Sequence, residues 1–298
     1  MRKINIKKVK EILLNIITLG GYKRRKRPSR FENYIKDLRE LTLNYQTHEL
    51  QKEHKNPLNK FGKKCFSQTD EDGITIEILK RLGCLEKGSF AEFGPGDGME
   101  NNTLILKSLG WKGFWVGGEN LIISSKTNEK FSFMKEFVTI ENIIELALKG
   151  KKNIKCNDLD VISFDLDGND LYLVNELLKN DFKPKLFIVE YNAKFPPPIK
   201  WTITYNEKHI WDGSDYYGAS LASFNELFER NDYKLVCCNS HTGSNAFFVK
   251  KDFEKLFEDV PKGINDIYVA PRYFLHNIYG SNSFSHPQSV KTINKLFE

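Results

Sequence analysis

Long apolar runs are absent from this 298-residue chain. No stretch approaches the roughly 18 residues that a membrane-spanning helix requires, so a chain that crosses a bilayer is not expected. The five cysteines, Cys65, Cys84, Cys156, Cys237 and Cys238, include no C-x-x-C pair, which argues against a disulfide framework and a zinc site. The short apolar segment Ile12 to Leu19 is broken by Asn15 and has no small-residue cleavage site after it, so it reads poorly as a secretory signal. An odd cysteine count without processing points to a reducing, cytoplasmic compartment. A basic surface is missing too, despite the net charge of +6. Residues 1–30 hold eleven Lys or Arg against Glu11, which leaves −4 on the other 268 residues. A mildly acidic body has no electrostatic footprint for nucleic acid.

What is present is ordinary globular material, with 40% hydrophobic and 28% charged residues, enough apolar surface to offset the entropy of ordering. Within the first 30 residues, Ile6, Val9, Leu13, Ile16 and Ile17 recur at helical spacing among lysines. This basic amphipathic arm reads as a packed extension or as a peripheral contact with an anionic membrane surface. Phe31, Tyr34, Ile35, Leu38, Leu41 and Tyr45 form a second helical stripe, expected to cover one edge of the main domain before a polar linker from Thr47 to Lys60.

From Ser67 onward helices alternate with apolar strands, the pattern of a parallel sheet covered on both faces. Strands are expected at 89–93, 114–117, 138–140, 161–165 and 186–190, with a closing hairpin at 234–238 and 246–249. The expectation is an α/β, Rossmann-like class I sheet, mostly parallel with an antiparallel closing hairpin and a helical N-terminal extension. Its parts are an extension over 1–60, a main domain over 61–250 and a C-terminal extension over 251–298. Residues 193–219 interrupt the rhythm with three prolines and many aromatics. So long an aperiodic insertion in a compact domain is usually functional.

Gly94-x-Gly96-x-Gly98 follows the first strand directly, where residues without Cβ let backbone amides approach a ligand. The spacing is not the G-x-G-x-x-G of dinucleotide binders, and residues 61–250 contain no Tyr-x-x-x-Lys pair. Both weaken the rival reading of an NAD(P)-dependent enzyme acting on nucleotide sugars. Asp97 lies within the loop. Glu92, just before it, is placed to accept a hydrogen bond from a cofactor ammonium group, and Glu119, past the second strand, to bind ribose hydroxyls. Asp165, Asp167, Glu190 and Asn192 end the fourth and fifth strands, where ligands of open α/β sheets bind. Alternation puts Asp165 and Asp167 on one side. Such a cluster is expected to share a proton or to hold an oxygen-ligated cation, Mg²⁺ or Mn²⁺, while Asn169 or Asp170 caps the next helix. His241 in the hairpin turn, His209 in the insertion and Asp167 are candidate general bases. Trp201, Tyr205, Trp211 and Tyr216 are candidates to stack on an acceptor, or simply to pack the insertion.

Together these blocks resemble the FkbM-type class I methyltransferases, particularly a bacterial branch found near surface-polysaccharide gene clusters. The resemblance rests on Phe66-Ser67-Gln68-Thr69-Asp70-Glu71-Asp72-Gly73, Glu92-Phe93-Gly94-x-Gly96-x-Gly98 and Asp165-x-Asp167-Gly168-Asn169-Asp170. It also rests on Val189-Glu190-Tyr191-Asn192, Phe195-Pro196-Pro197, Gly218-Ala219-Ser220-Leu221 and Asn245-Ala246-Phe247-Phe248-Val249. It implies methyl transfer from S-adenosylmethionine to a hydroxyl, commonly on a sugar, with Glu92, Gly94, Gly96, Asp97, Gly98, Glu119 and Asp165 about the cofactor. A non-catalytic, membrane-peripheral cofactor-binding protein is a further alternative. Pro196-Pro197-Pro198 follows the fifth strand, not the fourth, which argues against a base-amine methyltransferase.

Overall fold

A computed structural model describes residues 29–123, 127–271 and 294. The basic amphipathic arm lies outside the described residues. The chain divides into two compact units, residues 1–42 and 43–298. Helix α1 (Arg30–Glu53) runs through both. The expected polar linker is therefore helix as far as Glu53, then a 3-10 turn (Pro57–Phe61). Several polar residues of this stretch are engaged. Gln51 donates to the Gly62 carbonyl and the Asp70 carboxylate, and Asn56 and Asn59, both fully buried, donate to the carbonyls of Val236 and Cys238.

The main unit continues with α2 (Glu71–Arg81), β1 (Ser89–Phe93), α3 (Leu104–Ser108), β2 (Lys112–Gly117), β3 (Phe131–Lys135) and α4 (Ile143–Asn153). Then come β4 (Val161–Phe164), α5 (Asp170–Lys179), β5 (Leu186–Glu190), α6 (Leu221–Glu229), β6 (Tyr233–Cys238), β7 (Asn245–Lys250) and the short α7 (Ile264–Ile267). Seven strands form one sheet in the order β3-β2-β1-β4-β5-β7-β6, parallel except for β7. Helices cover both faces, so β1, β4 and most of β2 and β5 are buried throughout, as expected of parallel strands between helical layers. Phe93 stacks on Phe164 with ring centroids 4.7 Å apart, tying β1 to β4 at the heart of the core.

The third strand falls at Phe131–Lys135, not at 138–140. Flanking Lys130 and Lys135 hide it in the sequence, whereas in the fold Phe131 packs edge-on against Trp115 of β2. At the opposite edge, the amides of Asn56 and Asn59 occupy carbonyls that β6 would otherwise leave for another chain, a common protection of edge strands. No helix among the described residues is long and apolar enough to cross a membrane.

Asn59 also donates to Ser240 Oγ, so its loss removes a donor from two buried acceptors. Asn59→Ala is expected to lower unfolding free energy by about 1–3 kcal/mol, read from the denaturant midpoint, while the exposed Lys60→Ala changes it by less than about 0.5 kcal/mol.

Candidate active site

The glycine loop is shaped by three positive φ angles, +91° at Gly94, +54° at Gly96 and +85° at Gly98. A Cβ on Gly94 would lie 1.7 Å from the Asp165 carbonyl oxygen, and one on Gly98 would press on Leu121, Trp115 and Ile123. Gly96 is exposed, with open space where its Cβ would be. The loop thus touches the end of β4 on one side and presents free backbone on the other. Asp97 braces it: its carboxylate accepts from Met99 N and its carbonyl from Ile122 N. Glu119 stands exposed on the rim past β2, near enough to Asp167 to push that carboxyl upward.

Glu92 is placed differently from the expectation. Fully buried beneath the loop, its carboxylate accepts from Asn102 N (3.0 Å), Thr103 N (3.2 Å) and Thr103 Oγ1 (2.6 Å). These are unsatisfied donors at the start of α3, so Glu92 holds the segment that leaves the loop. Burial outweighs those bonds and raises its pKa to about 7.

Asp165, Asp167 and Glu190 bring carboxylate oxygens within 4.8 Å of one another. Burial first, then the charges of Asp167, Asp170 and Glu92, hold the Asp165 carboxyl well above its usual range. Glu190 is raised by burial and by Asp165, Asp167 and Asp170. The two carboxyls also act on each other directly, the contact lowering Asp165 and raising Glu190, the pattern of a pair that can share one proton. Asp167, raised by burial, Asp170 and Glu119, has a pKa of about 6. Strand alternation is not what gathers Asp165 and Asp167, because β4 ends at Phe164 and Asp167 takes a left-handed φ of +53°. Asp170 makes that bend by accepting from Leu166 N and Gly168 N, both at 2.9 Å. Neither Asp170 nor Asn169 caps α5 in the expected way. Asn169 occupies the cap position without a side-chain cap bond, and its amide exchanges hydrogen bonds with the Asn206 backbone.

Asn192 is withdrawn from the cluster. Its Nδ2 donates to the carbonyls of Asp215 and Tyr217, and its Oδ1 accepts from Lys194 N, so it anchors both ends of the insertion. The insertion lies over the 165–170 loop. Tyr172 OH donates to the Ile203 carbonyl, and the His209 ring stands 2.4 Å from where a Gly168 Cβ would be. His209 Nε2 is buried without a hydrogen-bond partner, and its ring lowers the pKa of Asp170 against the larger effect of burial. His241 lies in the hairpin turn, with its Nδ1 3.3 Å from Thr47 Oγ1 on α1 and its backbone N donating to Asp70.

Three of the four aromatic candidates pack the insertion. Trp201 is buried and stacks on Phe195 at 4.2 Å, and Tyr216 meets it edge-on. Tyr205 packs against Tyr172 and its hydroxyl accepts from Ile140 N. Trp211 keeps an exposed face, with Nε1 donating to the Ser214 carbonyl, and Ile210 beside it is 79% exposed.

Sequence reasoning missed the three successive acids that open α2. Acids at a helix start normally read as solvated dipole partners, yet these are buried. Asp70 accepts from Ser240 N and His241 N in the hairpin turn. Glu71 accepts from Thr69, Asn239 and Asn245, and Asp72 gathers the amides of Cys65, Phe66 and Ser67. Asn245 receives a bond from Asn102, which also reaches Ser163 and Glu92. One polar chain therefore runs from α2 to the floor of the glycine loop. Burial and the Asp70 charge raise the Glu71 pKa.

No family model matches the chain, and no curated protein matches it. Among solved structures, it is similar to magnesium protoporphyrin IX methyltransferase from Synechocystis PCC 6803 with bound SAH, at 10% identity and a TM-score of 0.37 over 82% of this chain and 99% of that one. A methyltransferase of calicheamicin biosynthesis, SAH-bound, matches at 11% identity and 0.32 over 83% and 85%. An O-methyltransferase family 2 protein from Planctomyces limnophilus in complex with apigenin matches at 12% and 0.32 over 55% and 51%. The fold is the Rossmann-like class I methyltransferase sheet, carried by the strand order and the single reversed strand.

Because folding raises the Glu92 pKa above that of the unfolded chain, its contribution to stability is full below about pH 4.5 and is lost as pH rises through about 7. Glu92→Gln is expected to make unfolding free energy fall less steeply between pH 5 and 8, measured by urea titrations at a series of pH values. An unchanged slope would show that Glu92 does not titrate in that window.

Proposed function

We propose that this chain is an enzyme that transfers the methyl group of S-adenosylmethionine to a hydroxyl of a sugar or nucleotide sugar, in the assembly of a surface polysaccharide. The observation that carries the reading is the backbone contact between Gly94 and Asp165. It sets a loop open for a cofactor directly against the carboxyl cluster of β4 and β5. The resemblance to the FkbM type supports the sugar hydroxyl as acceptor.

In this reading Gly94, Gly96, Asp97 and Gly98 line the cofactor, Glu119 takes the ribose from the rim, and Asp165 faces the methyl end. Glu92 acts from beneath by fixing the loop. The acceptor oxygen bonds to the methyl carbon as the carbon–sulfur bond breaks, and its proton passes to Asp167. A carboxyl with a pKa near 6 suits a base working near neutral pH. His209, held against Gly168, positions that loop. Trp211 offers the free aromatic face on which an acceptor ring would stack. Oriented reactants of this kind gain on the order of 7–11 kcal/mol from placement.

The cluster also fits Mg²⁺ or Mn²⁺. Its donors are all oxygen, and mutual repulsion raises their proton affinity, a strain that a cation relieves. Asp165, Asp167 and Glu190 would hold the ion, which would polarise the acceptor hydroxyl.

S-adenosylhomocysteine is expected to raise the melting temperature, and NAD to leave it unchanged. A shift with NAD alone would favour the rival reading of an NAD(P)-dependent enzyme acting on nucleotide sugars. Labelled methyl from S-adenosylmethionine should enter nucleotide sugars or cell-surface glycan fractions; cofactor binding without incorporation would mark a non-catalytic binding protein. Asp167→Asn keeps a residue tolerant of the left-handed backbone and should lower kcat by about 10²-fold or more with S-adenosylhomocysteine affinity retained. Mn²⁺ affinity, followed by calorimetry, is expected to rise from pH 5 to 7.5 as the protons on Asp165, Asp167 and Glu190 are displaced.

A further inference from the structure

Helix α1 carries an apolar face that the described residues leave uncovered. Phe31, Tyr34, Leu38, Leu41 and Tyr45 are 67, 60, 43, 70 and 65% exposed. Their spacing alternates three and four residues, a 3.5-residue repeat that forms the a and d seam of a helix pair. The opposite side of the same helix already has its contacts. Leu43 and Thr47 are buried, and Thr47 and Gln51 reach His241, Gly62 and Asp70. Leu43 and Thr47 each stand two residues, about 200°, round from a seam position, and Gln51 stands six residues, about 240°, round from Tyr45.

The occupant this face fits is a second copy of itself. The 3.5-residue repeat specifies a helix, and the 24 residues of α1 give about 36 Å of rod. Positions flanking the seam are Ile35, Asp37, Thr42 and Asn44. In a parallel, in-register pair Asp37 faces Thr42, so no like charges oppose. Five side chains of this size and exposure offer about 500 Å² per copy, hence about 1,000 Å² for a pair, the lower bound for a specific interface. A patch of about 500 Å² is the size of the largest apolar patch on a typical monomer, which is often functional. Because the C-terminal half of α1 is already anchored, pairing does not bear the full cost of forming a helix.

We propose that α1 is a homodimer surface, with the seam from Phe31 to Tyr45 pairing with the same seam of a second copy in an isologous two-fold contact. The test is sedimentation velocity of the full chain across the micromolar range. The expected result is conversion with concentration to twice the 34.6 kDa of the chain. Leu38→Glu/Leu41→Glu should weaken dimerisation by roughly 100-fold or more, and Tyr34→Glu by about tenfold. Leu256→Glu, at an exposed leucine outside α1, should leave it unchanged. Retained binding of S-adenosylhomocysteine shows that each variant folds, and dimerisation does not depend on the assigned activity. Wild-type protein that sediments at 34.6 kDa throughout would overturn the proposal, as it would if residues 1–28 cover the seam within one chain. A dimer that persists in the double variant would overturn it equally.

Discussion

The Asp165 carbonyl oxygen lies where any side chain on residue 94 would begin. That contact fixes the distance between the end of β1 and the end of β4, and much of the candidate site follows from it. The loop must turn away through left-handed backbone at Gly94, Gly96 and Gly98, which only glycine adopts without strain. Having crossed β4, the chain bends back at Asp167, and Asp170 ties that bend to the start of α5. The insertion then rests its His209 ring where Gly168 leaves room. Glycine loop, carboxyl cluster and insertion are thus successive layers on one backbone approach.

Buried carboxylates support these layers from below. Asp70, Glu71, Asp72, Glu92 and Asp170 have little or no exposure, and each holds amide or hydroxyl donors from loops at the carboxyl edge of the sheet. Burying an acid is costly unless donors surround it, and the raised pKa values of Glu71, Glu92 and Asp170 show burial outweighing those donors. A charged group whose position is fixed by several loops makes those loops interdependent. Such a floor keeps irregular segments in register where helices and strands supply no hydrogen bonds.

Local pattern made much of this legible. Short segments rich in apolar residues marked β1 and β5, glycine spacing marked the loop, and a late pair of apolar runs marked the hairpin that reverses β7. The gathering of Asp165, Asp167 and Glu190 was legible because ligands of such sheets meet at strand ends. Polar residues whose partners are distant were not. Asn192 reads like one more ligand at a strand end, yet it binds carbonyls 23 and 25 residues away. Trp201 reads like an open platform, yet Phe195 covers it. Glu92 reads as facing the ligand, yet the start of α3 meets it first.

By itself the sequence determined the class of sheet, the place of the loop and the acids at strand ends, because each depends on periodicity or on neighbours within a few residues. Only the tertiary structure decided which side chains face the crevice and which brace it. A polar group's role depends on what surrounds it, and here those surroundings come from residues as far as 211 positions apart along the chain.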